Sequence, residues 1–339
     1  MIYYDKNYPF AVDVDQDGNI ERIFETRSLL GSIWRGRIEK KVGPFTFVTL
    51  GDTQVFLDEE VAPHEGESLL VQIIGDPREE EKAFRGTQRL SLTGRSMVVF
   101  DNRIRKVSGK LHGEDKMRLL SLADNEAMEG VLFRTEAGAL SDDKLIDEYR
   151  SLRTTLQAFE LERHRLPPIQ QLYTPLFYQD WIGKPVYHND SDLTTVLNSG
   201  GVYDAHFSYK THELYSKLIA LAASRVEMEQ GFLKFERTSA LHTIDVNTAA
   251  ATLSHGKLNR TVNRQAAECI PREIERRNLS GVILIDFVGR SKDYQLLKIL
   301  KRGFSDFNTR VYGFTELGLV EVARKNTGKT FFDLWRESQ

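Results

Sequence analysis

Glu236-Arg237-Thr238-Ser239-Ala240-Leu241-His242-Thr243-Ile244-Asp245-Val246-Asn247 and, further on, Leu279-Ser280-Gly281-Val282-Ile283-Leu284-Ile285-Asp286-Phe287 decide how the carboxyl-terminal third folds. Residues 241–246 and 282–287 are apolar runs of strand length, the second opened by Ser280-Gly281, and 259–278 between them has a helical pattern. Strand, helix and strand in that order predict a β-α-β unit, right-handed with parallel strands. Pro271 inside the helix removes a hydrogen bond and predicts a kink or a split. A helix over 294–306 and a strand near 311–314 follow, so this part is α/β.

Asp245 and Asp286 each stand between apolar neighbours near the carboxyl end of a predicted strand. Burying an ionised carboxylate there requires a partner, and neither segment supplies a cation locally. If the strands are neighbours, about 4.8 Å apart, the two carboxylates converge on one point. A hard divalent cation such as Mg²⁺, which binds through one or two carboxylates, would relieve their repulsion. Asn247 is two residues from Asp245 and shares its face, so its amide can hold a water or a phosphate oxygen. Two plainer readings stay open: strand-end aspartates that cap the following turns, or ribose-binding acids of another α/β fold.

Upstream the pattern is strand after strand. Residues 33–39, 45–50, 54–57, 69–74 and 88–92 are short strand-like runs divided by Gly43-Pro44, Gly51-Asp52, His64-Glu65-Gly66 and Gly75-Asp76-Pro77. Five such strands predict a small closed barrel, with the OB-fold the first candidate and an unspecified small barrel or sandwich the alternative. Trp34, Phe45, Phe47 and Phe56 are interleaved there with Arg35, Arg37, Lys40, Lys41, Arg85 and Arg89. Aromatic faces stack on bases and cations track phosphates, so the mixture suits single-stranded nucleic acid, although a small core also consumes aromatics. The first 26 residues predict a hairpin or meander around Asp17-Gly18. Leu145, Tyr149, Leu152, Leu156 and Phe159 mark an amphipathic helix, capped near Ser141 to Asp143 and ended before Pro167-Pro168. Residues 211–225 predict another helix, with Gly200-Gly201 as a turn before it. Arg134-Thr135 follows the apolar run 131–133, where a guanidinium and a hydroxyl together could hold a phosphate monoester.

Composition narrows the classes. The chain of 339 residues is long enough for two or three domains, with 40% apolar and 28% charged residues. Its 49 acidic and 46 basic residues give a net charge of -3, so any nucleic-acid contact must come from local patches. A single cysteine, Cys269, excludes an internal disulfide framework and fits a reducing, cytoplasmic setting. No stretch approaches a membrane span, and no glycine-rich nucleotide loop or H-E-x-x-H pair occurs. Cys269 reads as core, and Arg272, Arg276 and Arg277 as a solvated helix face or a phosphate contact.

The two opening stretches, joined by Asn263-Arg264-Gln265-Ala266-Ala267-Glu268 and followed by Gly318-Leu319-Val320-Glu321-Val322-Ala323-Arg324-Lys325, resemble the catalytic region of the ribonuclease E/G family. Gly36-Arg37-Ile38 and Val131-Leu132-Phe133-Arg134-Thr135 extend the resemblance in the family's order. It implies an α+β multidomain chain: an OB-fold RNA-binding barrel (31–112) inserted in a ribonuclease H-like portion (1–30 and 170–225), a 5′-phosphate sensor region (113–169) and a deoxyribonuclease I-like catalytic α/β domain (226–339). It further implies a Mg²⁺-dependent endoribonuclease acting on single-stranded RNA in processing or decay, favouring 5′-monophosphorylated ends. Asp245 and Asp286 would hold the metal with Asn247 assisting; Arg134 and Thr135 would bind the 5′-phosphate; Phe47, Phe56, Arg85, Arg324 and Lys325 would contact RNA. No paired-cysteine motif precedes Gln339, so no intersubunit zinc link is expected, only a monomer or a non-zinc homo-oligomer. The run Thr248-Ala249-Ala250-Ala251-Thr252 lacks the arginines usual after the asparagine, and Gly289 stands where an acid is common. An RNA-binding regulator with little catalysis, and a nuclease preferring DNA, are the alternatives.

Overall fold

β1 (Ile2–Tyr4), β2 (Phe10–Val14) and β3 (Ile20–Glu25) form the antiparallel meander expected at the amino terminus. Its second turn is set by Asp15, whose carboxylate accepts from the backbone N–H of Asp17 and Asn19 at 3.0 and 2.7 Å, with Gly18 at φ 77°. The computed structural model describes residues 1–77, 83–162, 169–197, 200–248, 255–289, 292–304 and 308–339. They divide into two units: Met1–Arg27 with Trp181–Gln339, and Ser28–Asp180 inserted between them.

In the inserted unit, β4 (Ile33–Val42), β5 (Phe45–Thr49), β6 (Gln54–Leu57), β7 (Ser68–Gly75) and β8 (Phe84–Thr87) pair in the order β4-β5-β6-β8-β7. A β4–β7 pairing closes this ring, and β6–β8 is its parallel contact. The closed five-stranded barrel is compatible with an OB-fold. Ile38, Val48, Val55, Leu57, Leu69, Val71 and Ile73 fill its interior. The fifth strand is not the strand-like run 88–92 but Phe84-Arg85-Gly86-Thr87. A Cβ on Gly86 would lie 2.5 Å from Val55 and 2.6 Å from Val71, so packing requires glycine where the pattern shows no apolar residue.

The run after it joins another sheet. β9 (Ser91–Thr93), β10 (Met97–Phe100), β11 (Arg105–Val107) and β12 (Val131–Phe133) pair in the order β11-β12-β10-β9. α1 (Gly113–Asn125) and α2 (Asp142–Glu162) bury Leu119, Leu145 and Leu156 against Met97, Val99 and Phe133. Period-3.6 patterning thus produces α2 where the apolar stripe predicts it. Pro167-Pro168 lies outside the described residues. β13 (Gln170–Tyr173) adds to β4, and Gln170 there accepts from Arg35 at 2.8 Å. Arg35 is consequently 2% exposed, correcting its placement among the surface cations.

In the other unit, β14 (Val186–His188), α3 (Ser191–Leu197) and β15 (Gly201–Tyr203) complete the first sheet, in the order β15-β14-β1-β2-β3. β14 runs parallel to both β1 and β15. Gly201 therefore opens a strand and is not simply a turn. α4 (Leu214–Ala222) presents Leu214, Leu218 and Leu221 to Phe10 and Val12, the face that its sequence predicts.

The last sheet comprises β16 (Arg225–Met228), β17 (Gly231–Arg237), β18 (Leu241–Thr248), β19 (Gly281–Asp286), β20 (Thr309–Phe314) and β21 (Val320–Arg324), ordered β16-β17-β18-β19-β21-β20. α5 (His255–Arg276) links β18 to parallel β19, as the β-α-β reading predicts, and α6 (Tyr294–Gly303) and α7 (Phe331–Glu337) follow. Leu233, Phe235, Ile244, Val246, Ile283 and Ile285 pack against Val262, Ala266, Ile270, Leu296 and Leu300, so α5 and α6 cover one face. α5 runs on through Pro271 without splitting, and Gly303 leaves room for that ring. The predicted helix end at Asp306 lies outside the described residues. Arg277 is fully buried, correcting its solvated or phosphate-facing placement. Its guanidinium pairs with Glu273 and lies 4.9 Å over the Phe235 ring. Among the described residues no helix is long and apolar enough to cross a membrane.

Candidate active site

Parallel pairing of β18 with β19 sets Ile244 opposite Ile285 and Asp245 opposite Asp286. Strand alternation buries Ile244, Val246, Ile285 and Phe287 under the helices and turns both aspartates to the uncovered face. Both carboxylates are exposed, which corrects the expectation that burial would demand a partner. The Asp286 carboxyl is raised above the ordinary range, first by desolvation and then by the Asp245 charge. Asn247 donates Nδ2–H to Asp245 Oδ2 at 2.8 Å and so fixes that carboxylate. On the other side, Asn263 of α5 donates to the Val288 carbonyl and accepts from its N–H, both at 2.9 Å, holding the chain just after Asp286.

Two facing carboxylates with a neighbouring amide fit a hard divalent cation that keeps most of its waters. Among the described residues no group of three or more His, Cys, Asp or Glu forms a fuller cage. Residues 249–252 of the run after Asn247, where arginines are lacking, lie outside the described residues.

In the inserted unit, Phe47 stands opposite Phe56, and Phe56 opposite Arg85, on three adjacent strands. Thr46, Val48, Val55 and Leu57 face the core, so the two rings and Arg85 share the outer face. Lys40, opposite Phe47, extends this row to a fourth strand with its Nζ 4.9 Å over the ring. Arg134 and Thr135 follow β12, as expected. Arg134 Nη1 donates to the Gly94 and Arg95 carbonyls at 3.0 and 3.3 Å, its Nη2 lies 3.3 Å from Asp180, and the exposed Thr135 hydroxyl is 3.3 Å from that of Ser108.

Arg324 and Lys325 part ways. Lys325 is exposed, whereas Arg324 is 8% exposed and donates to Asn278 Oδ1 at 2.7 Å and the Leu279 carbonyl at 3.1 Å. That places Arg324 in the framework, a correction to its reading as an RNA contact. Sequence inspection missed Lys234 of β17, opposite Asp245; the alternation Leu233-Lys234-Phe235-Glu236 was the available signal.

Residues 201–327 match the Ribonuclease E/G family. The chain is 27% identical to ribonuclease G of Haemophilus influenzae, covering 78% of this chain and 60% of that protein. It is 27% identical to ribonuclease G of Escherichia coli (92% of this chain, 76% of that protein) and 27% identical to ribonuclease E of Nostoc sp. (84% and 46%).

Proposed function

From the match of residues 201–327 to the Ribonuclease E/G family and the similarity to ribonucleases G and E, we propose that the chain is an endoribonuclease of that family that hydrolyses single-stranded RNA, with Mg²⁺ held by Asp245 and Asp286. The register that sets Asp245 opposite Asp286 carries this reading, since it concentrates negative charge at one point on an uncovered sheet face. Mg²⁺ bound there would neutralise that charge, polarise a phosphoryl oxygen and lower the pKa of a water. Asp286 must be ionised to serve, and its raised pKa makes it a group that a cation and a proton compete for. Asn247 spends one N–H on Asp245, leaving its second N–H and its carbonyl to orient water or phosphate.

The row Lys40-Phe47-Phe56-Arg85 supports an RNA clamp, as stacking is worth about 1 to 3 kcal/mol per base and tolerates any sequence. Lys325 is a candidate phosphate contact. At Arg134 and Thr135 a 5′-monophosphate, carrying nearly two charges, would displace the singly charged Asp180 from Arg134 Nη2.

The test is cleavage of one single-stranded RNA carrying a 5′-monophosphate, 5′-triphosphate or 5′-hydroxyl, with Mg²⁺ or EDTA, by wild type and Asp286→Asn. Expected are Mg²⁺-dependent products with 5′-phosphate and 3′-hydroxyl ends, fastest from the monophosphate, and a loss of at least about a hundredfold in the variant. Equal cutting by wild type and Asp286→Asn overturns the carboxylate assignment; equal rates on the three ends overturn the sensor.

A further inference from the structure

The line of residues that contains the two carboxylates continues across the sheet. Arg225 of β16 stands opposite Lys234, Lys234 opposite Asp245, and Asp245 opposite Asp286. Val226, Met228, Leu233 and Phe235 pack into the core, so alternation turns Arg225, Glu227, Phe232 and Lys234 to the uncovered face that bears the carboxylates. At about 4.8 Å per strand, the strand bearing Lys234 is one spacing from Asp245 and that bearing Arg225 is two. One rung along, Phe232 stands opposite Asn247. The Arg225 guanidinium lies over the Phe232 ring, 3.6 Å from its centroid, and Glu227 braces it through contacts at 2.5 and 3.3 Å.

We propose that β16 and β17 are the substrate-positioning half of the site: Lys234 takes a non-bridging oxygen of the RNA phosphate next to the carboxylates, and the Phe232–Arg225 stack carries a base of the single strand. This assignment rests on the endoribonuclease reading and names the residues that grip its substrate. A site that brings a phosphodiester against two carboxylates needs fixed positive charge close by, and Lys234 supplies it from the adjacent strand. The Lys234 side chain is 50% exposed and its partner Glu236 59%, so their 2.6 Å ion pair gives way at little cost. Phe232 projects away from the core beneath helices α5 and α6, so its ring is not needed to fill that interior. A guanidinium held over an aromatic ring, its own side chain 54% exposed, offers planar groups on which unpaired bases stack. Bases inside a duplex cannot reach such a plane, so the stack selects single strands.

The experiment uses the full chain as wild type, Lys234→Gln, Lys234→Arg and Phe232→Leu. Steady-state cleavage of a short single-stranded RNA gives kcat and KM. Binding is read in the Asp286→Asn background with 2-aminopurine placed at successive positions of the RNA. Expected for Lys234→Gln is a KM raised about tenfold with kcat within about threefold, restored by Lys234→Arg. Phe232→Leu is expected to raise KM about fivefold and to abolish 2-aminopurine quenching at one position. Wild-type KM in both variants, an effect of Lys234→Gln on kcat alone, no rescue by arginine, or quenching unchanged by Phe232→Leu would each overturn the assignment. A wild type that binds but never cuts fails the endoribonuclease reading instead, and the quenching comparison still decides whether the stack holds a base.

Discussion

Asp286 shows what a single side chain contributes against its own fold. Desolvation and the facing Asp245 raise its carboxyl pKa, so the folded protein binds a proton more tightly there than the unfolded chain does. Between the ordinary carboxyl value and the raised one, the folded state holds more protons, and linkage makes stability fall as pH rises through that window. In EDTA at neutral pH, Asp286→Asn should therefore raise the thermal midpoint slightly, although it abolishes cleavage in Mg²⁺, and Mg²⁺ should raise the midpoint of wild type only. A scanning-fluorimetry comparison of the two proteins with and without Mg²⁺ checks this; a lower midpoint for the variant in EDTA would show that ionised Asp286 does not strain the sheet. Asp245 and Asp286 were legible as a pair because both end apolar strand runs, whereas their exposure was not, since apolar neighbours in sequence say nothing about which face an intervening residue takes. Arg35 and Arg324 show the converse. Arginine is usually exposed, and these two are held by partners distant in sequence, Arg35 by Gln170 of the added strand β13 and Arg324 by Asn278.

Elements were readable where the local pattern agreed with the packing. α2, α4 and the β18-α5-β19 unit follow from periodicity, while β8 was missed because its barrel position demands Gly86 and leaves Arg85 and Thr87 without an apolar rhythm. β17 and β21, which flank the parallel pair, announced themselves only weakly, so the neighbourhood of Asp245 and Asp286 had to be inferred from the helix joining their strands. Within α5 the ion pair of Glu273 with Arg277 is buried, with Glu273 3% and Arg277 0% exposed, while that of Arg264 with Glu268 is solvated. Glu273→Ala would leave a buried guanidinium without its anion, at a cost of about 3 to 5 kcal/mol. Arg264→Ala, on the same helix, should cost within about 0.5 kcal/mol. Urea unfolding of both variants against wild type tests the contrast, and equal losses would sink it.

At the scale of the molecule, the two units are unequal in their independence. Ser28–Asp180 is one unbroken stretch with two cores of its own, one inside the barrel and one between its smaller sheet and its helices α1 and α2. Expressed alone it should fold cooperatively and bind single-stranded RNA without cutting it, because Asp245 and Asp286 are elsewhere. Circular dichroism melting and a filter-binding titration check this, and an unfolded or non-binding fragment would refute it. Net charge predicts none of this binding: with -3 overall, the proposed grip would have to come from the local row of cations and rings on the barrel.

The parallel pairing of β1 with β14 also orders events in time. Asp5, just after β1, meets Asn189, just after β14, although they are 184 positions apart. A ribosome releases the first three strands long before their partners exist, so the meander must wait while the whole inserted unit is made. That unit can reach its own native state during synthesis, and in doing so it brings the two ends of the interruption within reach, shortening the loop that β14 must close. The insertion therefore acts as a scaffold for the sheet it interrupts: a slow, long-range strand pairing becomes a local one once the intervening fold is complete.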